Sequence, residues 1–358
     1  MNNSNVLLID ENLNIGGGVR TVISSLVENS ELINYYYWML SKKKYDINSS
    51  KLIIINSILA QFKMNKFLKI ILFFYSIIFF FKIRKKIDLI YVHQPYSLFV
   101  GYTLSKIYNK KLVYHCHGLS GDAQYNNLNI LYKYTIRKVK NIIAISEYVK
   151  KQIQDINKRA NISFIHNGLD ISKIESKFAE KEYDFIFVGR INKLKDPYSF
   201  ISSLQEYNKF KKAIIIGKIE SKAYYNKIKE LIKGDNKFDY LGVKEYTDTQ
   251  VFIAKSKYII VPSNWNEPFG MVVLEGFKNK TLVIARRDGG IGEIIDDGVD
   301  GFLYDNNKEL LDVLKNLKNI DNEKITTNAF QKLVNKYSHQ NEKLERILYS
   351  FINEEVKL

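Results

Sequence analysis

The chain has 358 residues, of which 46% are hydrophobic and four are proline. This composition excludes general disorder, and the length is sufficient for two domains with separate cores. The formal charge is +16, with 54 Lys and Arg against 38 Asp and Glu, which suits nucleic acid, an anionic membrane surface or phosphorylated substrates. A single cysteine, Cys116, excludes a disulfide framework and fits a reducing compartment. The first residues lead straight into a strand-like run, so we expect no signal peptide.

Short apolar runs alternate with amphipathic stretches, a pattern typical of parallel sheets with helical crossovers. In the first half the predicted strands are 6–9, 51–55, 88–93, 111–115, 141–145 and 162–165. In the second half they are 184–188, 213–216, 238–241, 258–261 and 282–285. A charged stretch, 173–181, interrupts the alternation between them. We therefore predict an α/β protein with two doubly wound domains, 1–167 and 168–338, facing across a cleft, while a helical pattern at 341–353 (within 339–358) packs back on the first domain.

Residues 62–86 form a run of Ile, Leu and Phe between lysines. The uncharged core, 70–81, is well short of the ~20 residues that span a bilayer, so we expect no transmembrane helix. The pattern predicts a crossover helix packed on the sheet, yet apolar residues run all round it. Aromatic residues bounded by Lys and Arg also suit a helix resting in a membrane interface, and both roles can hold at once.

A glycine-rich turn follows the first predicted strand. Gly16 and Gly17 precede a predicted helix, and glycines at this point let the backbone come close to an anionic ligand. A turn that only caps the helix is the alternative. The spacing is not GxGxxG and no suitable acidic residue follows the next strand, so NAD is disfavoured.

Two of the five histidines, His115 and His117, close a predicted strand at its carboxyl end, where a cleft residue is expected. A metal site needs a third ligand, and no neighbour has convincing spacing, so we expect no metal there. We interpret His117 as a hydrogen-bonding or proton-handling residue. His93 and His166 also end strands, and we interpret them as ordinary polar groups with satisfied hydrogen bonds.

In the second half, a strand passes into a helix that starts near Gly270. Glu267 lies in the loop and Glu275 in the first turns of the helix, and the helix N-terminus between them is suited to an anion. Two carboxylates beside an anion site make sense if they contact neutral hydroxyls attached to that anion, as in a sugar nucleotide. Two solvated glutamates are the alternative.

Cations for such a diphosphate are available upstream. Arg190 and Lys195 follow Gly189 after the first strand of the second half. The Arg fork can hold two phosphate oxygens, while Lys adds a mobile point charge. Two solvated basic residues in a very basic protein are the alternative.

These residues resemble the motifs of the retaining GT-B glycosyltransferases, specifically glycosyltransferase family 4. The matching motifs run in the family's order: the Gly16-Gly17 loop, His117-Gly118, Ser146-Glu147, Asn167-Gly168 with Asp170, Gly189-Arg190 with Lys195, Gly242, Glu267-Pro-Phe-Gly-x4-Glu275, Gly289-Gly290 with Glu293, and Asp297-Gly298 with Phe302. The resemblance implies two Rossmann-like domains, the second binding the donor and the first the acceptor.

The resemblance also implies roles for single residues. Glu267 would hold the donor sugar's hydroxyls, Glu275 the ribose, Arg190 and Lys195 the diphosphate, and His117 would lie beside the transferring sugar. The full donor-binding set is Gly16, Gly17, Gly189, Arg190, Lys195, Glu267, Phe269, Gly270, Met271 and Glu275. Front-face transfer with retention, in which the leaving phosphate accepts the acceptor's proton, would need no metal and no cofactor.

We therefore predict a retaining transferase that moves a hexose or N-acetylhexosamine from a UDP- or GDP-linked sugar to a saccharide acceptor. The acceptor is expected to be lipid-linked, in bacterial capsule, O-antigen or lipopolysaccharide synthesis. We expect a cytoplasmic protein, peripheral on the inner face of the membrane through residues 62–86, with no nucleic-acid partner. The alternatives are a glycoside hydrolase that uses Glu267 and Glu275, or a non-enzymatic basic protein that binds membranes or nucleic acid.

Overall fold

The computed structural model describes residues 4–10, 22–23, 26–28, 30–39, 52–56, 66–119, 130–171 and 180–353. The chain forms two compact units, one of Met1–Gly168 with His339–Leu358 and the other of Leu169–Ser338. The glycine loop with Gly16 and Gly17 lies outside the described residues.

The described part of the first unit contains a seven-stranded parallel sheet in the order β3-β2-β1-β4-β5-β6-β7. Its strands are β1 Ser4–Asp10, β2 Ile33–Met39, β3 Leu52–Asn56, β4 Leu89–Val92, β5 Lys111–Cys116, β6 Asn141–Ala144 and β7 Asn161–Phe164. The strand order reverses between β1 and β4, and ligands of doubly wound sheets bind at the carboxyl ends next to such a reversal. His93 follows β4 and therefore lies at this edge.

All six strands predicted in this half are confirmed, but β2 was missed. Its sequence is INYYYWM. Tyr35 and Tyr37 are buried while Asn34 and Tyr36 are partly exposed. Tyrosine occurs both in protein cores and at solvent-exposed surfaces, so the residue types alone do not show the alternation of buried and exposed positions along β2.

Helices cover this sheet: α1 Lys66–Ile83, α2 Pro95–Ile107, α3 Ile130–Ile136 and α4 Glu147–Ile156. Within the described residues, no helix is both long enough and apolar enough to cross a membrane. Helix α1 buries Phe80 completely, yet Phe74, Ile78 and Phe81 are 59%, 65% and 57% exposed. The predicted crossover helix is thus present, and it keeps a row of large apolar side chains in solvent.

The second unit contains, in its described part, a six-stranded parallel sheet in the order β10-β9-β8-β11-β12-β13. Its strands are β8 Tyr183–Val188, β9 Ala213–Ile216, β10 Phe238–Tyr240, β11 Ser256–Val261, β12 Leu282–Arg286 and β13 Phe302–Tyr304. The five strands predicted here are confirmed. The missed strand, β13, has three residues, too few for a period to be visible.

The helices of the second unit are α5 Pro197–Tyr207, α6 Lys222–Leu231, α7 Tyr246–Ala254, α8 Met271–Lys278, α9 Asn307–Asn316 and α10 Asn322–Lys332. The strand order reverses between β8 and β11. The loop that begins at Gly189 follows β8, and the loop that leads to α8 follows β11. Both therefore leave the sheet where a ligand crevice is expected.

The last helix, α11 Gln340–Asn353, belongs to the first unit. Its Leu344 and Leu348 are buried in the core of that unit. Its Glu345 carboxylate accepts hydrogen bonds from Ser30 Oγ at 2.5 Å and from the backbone N–H groups of residues 31–33 at 2.9–3.1 Å. The helix is thus held by both apolar burial and a buried carboxylate at the start of β2.

Candidate functional site

The loops after β8 and β9 touch through their backbones. A Cβ atom on Gly217 would lie 1.7 Å from the Gly189 carbonyl oxygen, so position 217 excludes any side chain. The Gly189 N–H donates to the Ile216 carbonyl at 3.0 Å. This close approach fixes the start of the loop that carries Arg190 and Lys195.

Lys195 is held at the end of that loop. Its N–H donates to Asn192 Oδ1 at 2.9 Å, and the next residue, Asp196, caps α5 through a hydrogen bond from the Ser199 N–H. The Lys195 Nζ forms an ion pair with Glu267 Oε2. The structure therefore brings together Lys195 and Glu267, two predicted site residues that lie in separate loops.

Glu267 is the most enclosed carboxylate of this site, with 9% of the residue exposed. Its Oε2 accepts hydrogen bonds from Lys195 Nζ and, at 2.8 Å, from Trp265 Nε1. Burial raises the pKa of Glu267, but the Lys195 charge and the hydrogen bonds from Lys195, Trp265 and Ser263 outweigh it and lower the pKa overall. The carboxylate is consequently ionised at neutral pH and acts as a hydrogen-bond acceptor.

The Glu267 loop is pinned by the turn after β12. Asp288 Oδ2 accepts from the backbone N–H groups of Trp265 and Asn266 at 2.9 and 2.7 Å, and the Gly290 N–H donates to the Glu267 carbonyl at 2.7 Å. A Cβ on Gly289 would lie 2.3 Å from that same carbonyl oxygen. The glycine pair of the predicted motif thus lets the two loops pack backbone to backbone.

Helix α8 begins directly after this loop. Gly270 is its N-cap, with φ of 101° and no side-chain cap, and a Cβ there would lie 2.9 Å from Ile291 Cγ1. The first turn, which starts at Met271, contains no acidic residue. Phe269 is buried just before it. Helix N-termini present N–H groups without partners inside the helix, so this end is suited to a phosphate.

Glu275 lies on α8, one turn further along. Burial raises its pKa to about 7, partly offset by Gln250 and Lys278. The two glutamates of the motif therefore differ: the pKa of Glu267 lies below its ordinary value, whereas burial raises that of Glu275 to about 7.

Arg190 has a partner that sequence reasoning missed. Its Nη1 lies 2.9 and 3.2 Å from the two carboxylate oxygens of Glu220, which also accepts from Asn192 Nδ2 at 2.7 Å. Burial raises the Glu220 pKa, but these hydrogen bonds and the Arg190 charge lower it overall. A signal was available, because Glu220 follows β9, the parallel neighbour of β8.

In the first unit, His117 lies beside two other histidines. His93 Nδ1 is 2.8 Å from His117 Nε2, and His115 Nδ1 is 2.6 Å from the Tyr91 hydroxyl. The interpretation of His93 as an ordinary satisfied polar group is wrong, because its Nε2 is buried without a partner among the described residues. Burial lowers the pKa of His93 and His115 strongly and that of His117 to about 3, so the three rings are neutral at pH 7.

Two family descriptions match adjoining parts of the chain. Residues 35–173 match Glycosyltransferase Family 4, and residues 170–332 match Glycosyl transferases group 1. The chain belongs to glycosyltransferase family 4. Its second match spans the ion pair of Lys195 with Glu267 and the start of α8, and its first spans the three histidines.

Relatives of this glycosyltransferase include an uncharacterised glycosyltransferase of Methanocaldococcus jannaschii, 29% identical over 307 residues, or 81% of each chain. An uncharacterised 41.2 kDa protein in the cps region of Klebsiella pneumoniae is 25% identical over 324 residues, 84% of this chain and 85% of that protein.

Among solved structures, Anabaena HepE in complex with UDP has a TM-score of 0.78 at 18% identity, covering 97% of this chain and 100% of HepE. The sucrose-phosphate synthase of Thermosynechococcus elongatus has a TM-score of 0.80 at 15% identity, covering 97% and 99%. These likenesses confirm the GT-B fold predicted from the sequence.

Proposed function

We propose that this glycosyltransferase moves a hexose or N-acetylhexosamine from a nucleotide sugar to a saccharide acceptor with retention of configuration. The observation that carries the proposal is the buried ion pair between Lys195 and Glu267 at the start of α8. Glu267 accepts hydrogen bonds, Lys195 is cationic, and the N-terminus of α8 follows Glu267 in the chain. Such an arrangement matches a hydroxylated sugar attached to a diphosphate.

In this proposal Glu267 accepts hydrogen bonds from the sugar's hydroxyls, since its lowered pKa keeps it ionised. Lys195 and Arg190, with the N–H groups at the start of α8, stabilise the charge that develops on the leaving diphosphate. Glu275 accepts from the ribose hydroxyls. We take a UDP-linked sugar as the first donor to test, because HepE was crystallised with UDP-glucose as well as UDP.

The proposed chemistry needs no general base in the second unit. The leaving phosphate accepts the acceptor's proton while the new glycosidic bond forms on the same face of the sugar. Arg190 and Lys195 do the electrostatic work that a metal ion does in other enzymes. In this proposal His117 of the first unit contributes a hydrogen bond to the sugar.

For the acceptor we propose a lipid-linked saccharide of a bacterial envelope polysaccharide. The exposed apolar row Phe74, Ile78 and Phe81 on α1 supports contact with a lipid surface, and Arg84 lies 3.6 Å over the Phe81 ring. The net charge of +16 favours anionic lipids. The cps-region relative supports a role in polysaccharide synthesis.

A donor panel tests the proposal. We expect one nucleotide sugar to raise the melting temperature of the wild type, because a ligand that binds only the folded state stabilises it. The same sugar should stabilise the Glu267→Gln variant less, and the linkage formed with an accepted saccharide should retain the donor's anomeric configuration by NMR. Turnover of a glycoside without any nucleotide sugar would instead favour the hydrolase alternative.

A further inference from the structure

The three histidines of the first unit form a cluster that the proposed transfer uses only in part. β4 and β5 are neighbouring parallel strands, so His93, which follows β4, lies next to His115. His117 is two positions further on the same side of the chain. The ring centroids are 5.2 Å apart for His93 and His115, 5.1 Å for His93 and His117, and 4.4 Å for His115 and His117.

The ring nitrogens of this cluster are poorly supplied with partners. The contact of His93 Nδ1 with His117 Nε2 joins two rings at 2.8 Å, and His115 Nδ1 contacts the Tyr91 hydroxyl at 2.6 Å. The other three nitrogens, His93 Nε2, His115 Nε2 and His117 Nδ1, are buried and have no hydrogen-bond partner among the described residues. Buried polar atoms normally have partners, and an ion bound between the three rings would supply one to His115 Nε2.

We propose that His93, His115 and His117 bind one divalent transition-metal ion, with zinc as the best candidate. One nitrogen of each ring can be chosen so that all three lie within 4.8 Å of one another. Among the described residues, these three histidines are the group of His, Cys, Asp or Glu side chains close enough together to hold a metal ion. Zinc binds imidazole nitrogens at about 2.0–2.1 Å, which places tetrahedral ligands roughly 3.3 Å apart. Nitrogens at the 4.8 Å limit therefore need to close by about 1.5 Å, and His93 Nδ1 and His117 Nε2, which are 2.8 Å apart, need to separate by about 0.5 Å.

The hydrogen-bonding pattern suits an ion. His93 Nδ1 and His117 Nε2 face each other with a single proton between them. In the proposal this proton moves to the other nitrogen of its own ring, and both facing lone pairs bind the ion. If His115 Nδ1 donates to the Tyr91 oxygen, its Nε2 lone pair is free to bind, and Tyr91 acts as the outer partner that orients the ring.

The neighbouring thiol is not a ligand in this proposal. Cys116 lies between two of the histidines, and strand alternation directs its side chain to the opposite face. The site is therefore a three-nitrogen site with an open fourth position, and imidazole-only sites suit zinc, copper, nickel and cobalt.

Metal binding can be measured without transfer activity, so the test is independent of the proposed function. Untagged, chelator-treated protein is dialysed against Zn²⁺ or Co²⁺, and bound metal is counted. We expect one ion per chain in the wild type and a visible Co²⁺ spectrum of nitrogen ligation without a thiolate charge-transfer band. His93→Gln and His115→Gln should each weaken binding at least about tenfold, the lower range for disturbed metal sites.

The control is His339→Gln, because His339 is exposed and pairs with Glu342 outside the cluster. It should bind one ion as the wild type does, and circular dichroism establishes that all variants are folded. Anomalous diffraction at the zinc edge from wild-type crystals needs no variant and should place the ion between the three rings. Absent binding, unchanged affinity in both cluster variants, or an anomalous peak elsewhere would overturn the proposal.

Discussion

Lys195 and Glu267, 72 positions apart in the sequence, form an ion pair in which the side chains are only 18% and 11% exposed. Removing one member of a buried pair leaves the other charge without compensation, which is costlier than losing an exposed pair. The pair therefore links the loop after β8 to the loop before α8 and keeps both charges at the crevice of the sheet.

Glu267→Gln preserves the shape of the side chain and removes its charge. We expect the transfer rate to fall about 10²–10³-fold, the range for losing one group that stabilises a transition state. Steady-state kinetics with the donor identified by thermal stabilisation measures this. Glu230→Gln is the matched control, because Glu230 is 70% exposed and pairs with Lys233. A Glu267→Gln rate within twofold of the wild type would refute the site.

Arg190→Gln removes the guanidinium proposed to bind the diphosphate. Hydrogen bonds to charged groups contribute about 1.5–3 kcal/mol, so the Kd for UDP should rise about tenfold or more. Calorimetry at two salt concentrations should also show a smaller salt dependence in the variant. The control is Lys212→Gln, which removes an ion-paired cation directly before β9. Lys212 lies at the amino ends of the strands, away from the proposed site at their carboxyl ends, so this variant should bind UDP normally. Equal losses in both variants would point to general electrostatics instead.

Glu275 should make stability depend on pH. Its folded-state pKa of about 7 lies above the ordinary value of 4.5, so its contribution to stability is fully present below pH 4.5 and is lost as the pH rises through 7. Relative to the wild type, Glu275→Gln should gain melting temperature between pH 5 and pH 8. Melting curves of both proteins across this range are the measurement, and two parallel profiles would contradict the raised pKa.

Glu345→Gln should loosen α11 from the first unit. The carboxylate accepts from Ser30 and three backbone N–H groups, and a neutral amide can satisfy fewer of them. We expect a loss of about 2–3 kcal/mol in unfolding free energy, measured by urea denaturation. Glu342→Gln, at a 65% exposed position of the same helix, should change stability by less than about 0.5 kcal/mol. If Glu345→Gln also changed the unfolding free energy by less than about 0.5 kcal/mol, apolar burial alone would hold the helix.

The apolar row on α1 is tested with vesicles. We expect the wild type to sediment with vesicles that contain anionic lipid and the triple variant Phe74→Ser, Ile78→Ser, Phe81→Ser to bind at least about tenfold less, since each burial contributes about 1.5–3 kcal/mol. Val243→Ser with Val251→Ser removes two exposed apolar side chains of the second unit and serves as the control. No sedimentation of the wild type, together with full activity, would exclude the membrane surface as a partner.

Local patterns in the sequence were sufficient to predict eleven of the thirteen strands and the start of α8. Strands and helix starts depend on residue spacing and on glycine and proline, which are visible along the chain. The exceptions were β2, where tyrosines conceal the alternation, and β13, which has three residues.

The sequence by itself determined which residue types follow the strands: cations after β8, and two carboxylates with glycines around the start of α8. Only the tertiary structure decided their partners. Glu220 faces Arg190, Trp265 donates to Glu267, and His93 stands beside His117 because neighbouring parallel strands bring their carboxyl ends together. Such pairings join residues from separate loops, and partners and burial then set their charge. Lys195 and hydrogen bonds lower the pKa of Glu267 despite its burial, whereas burial raises that of Glu275. The pairing of residues from separate loops and the resulting pKa shifts leave no repeating pattern in the sequence, so neither can be predicted from it.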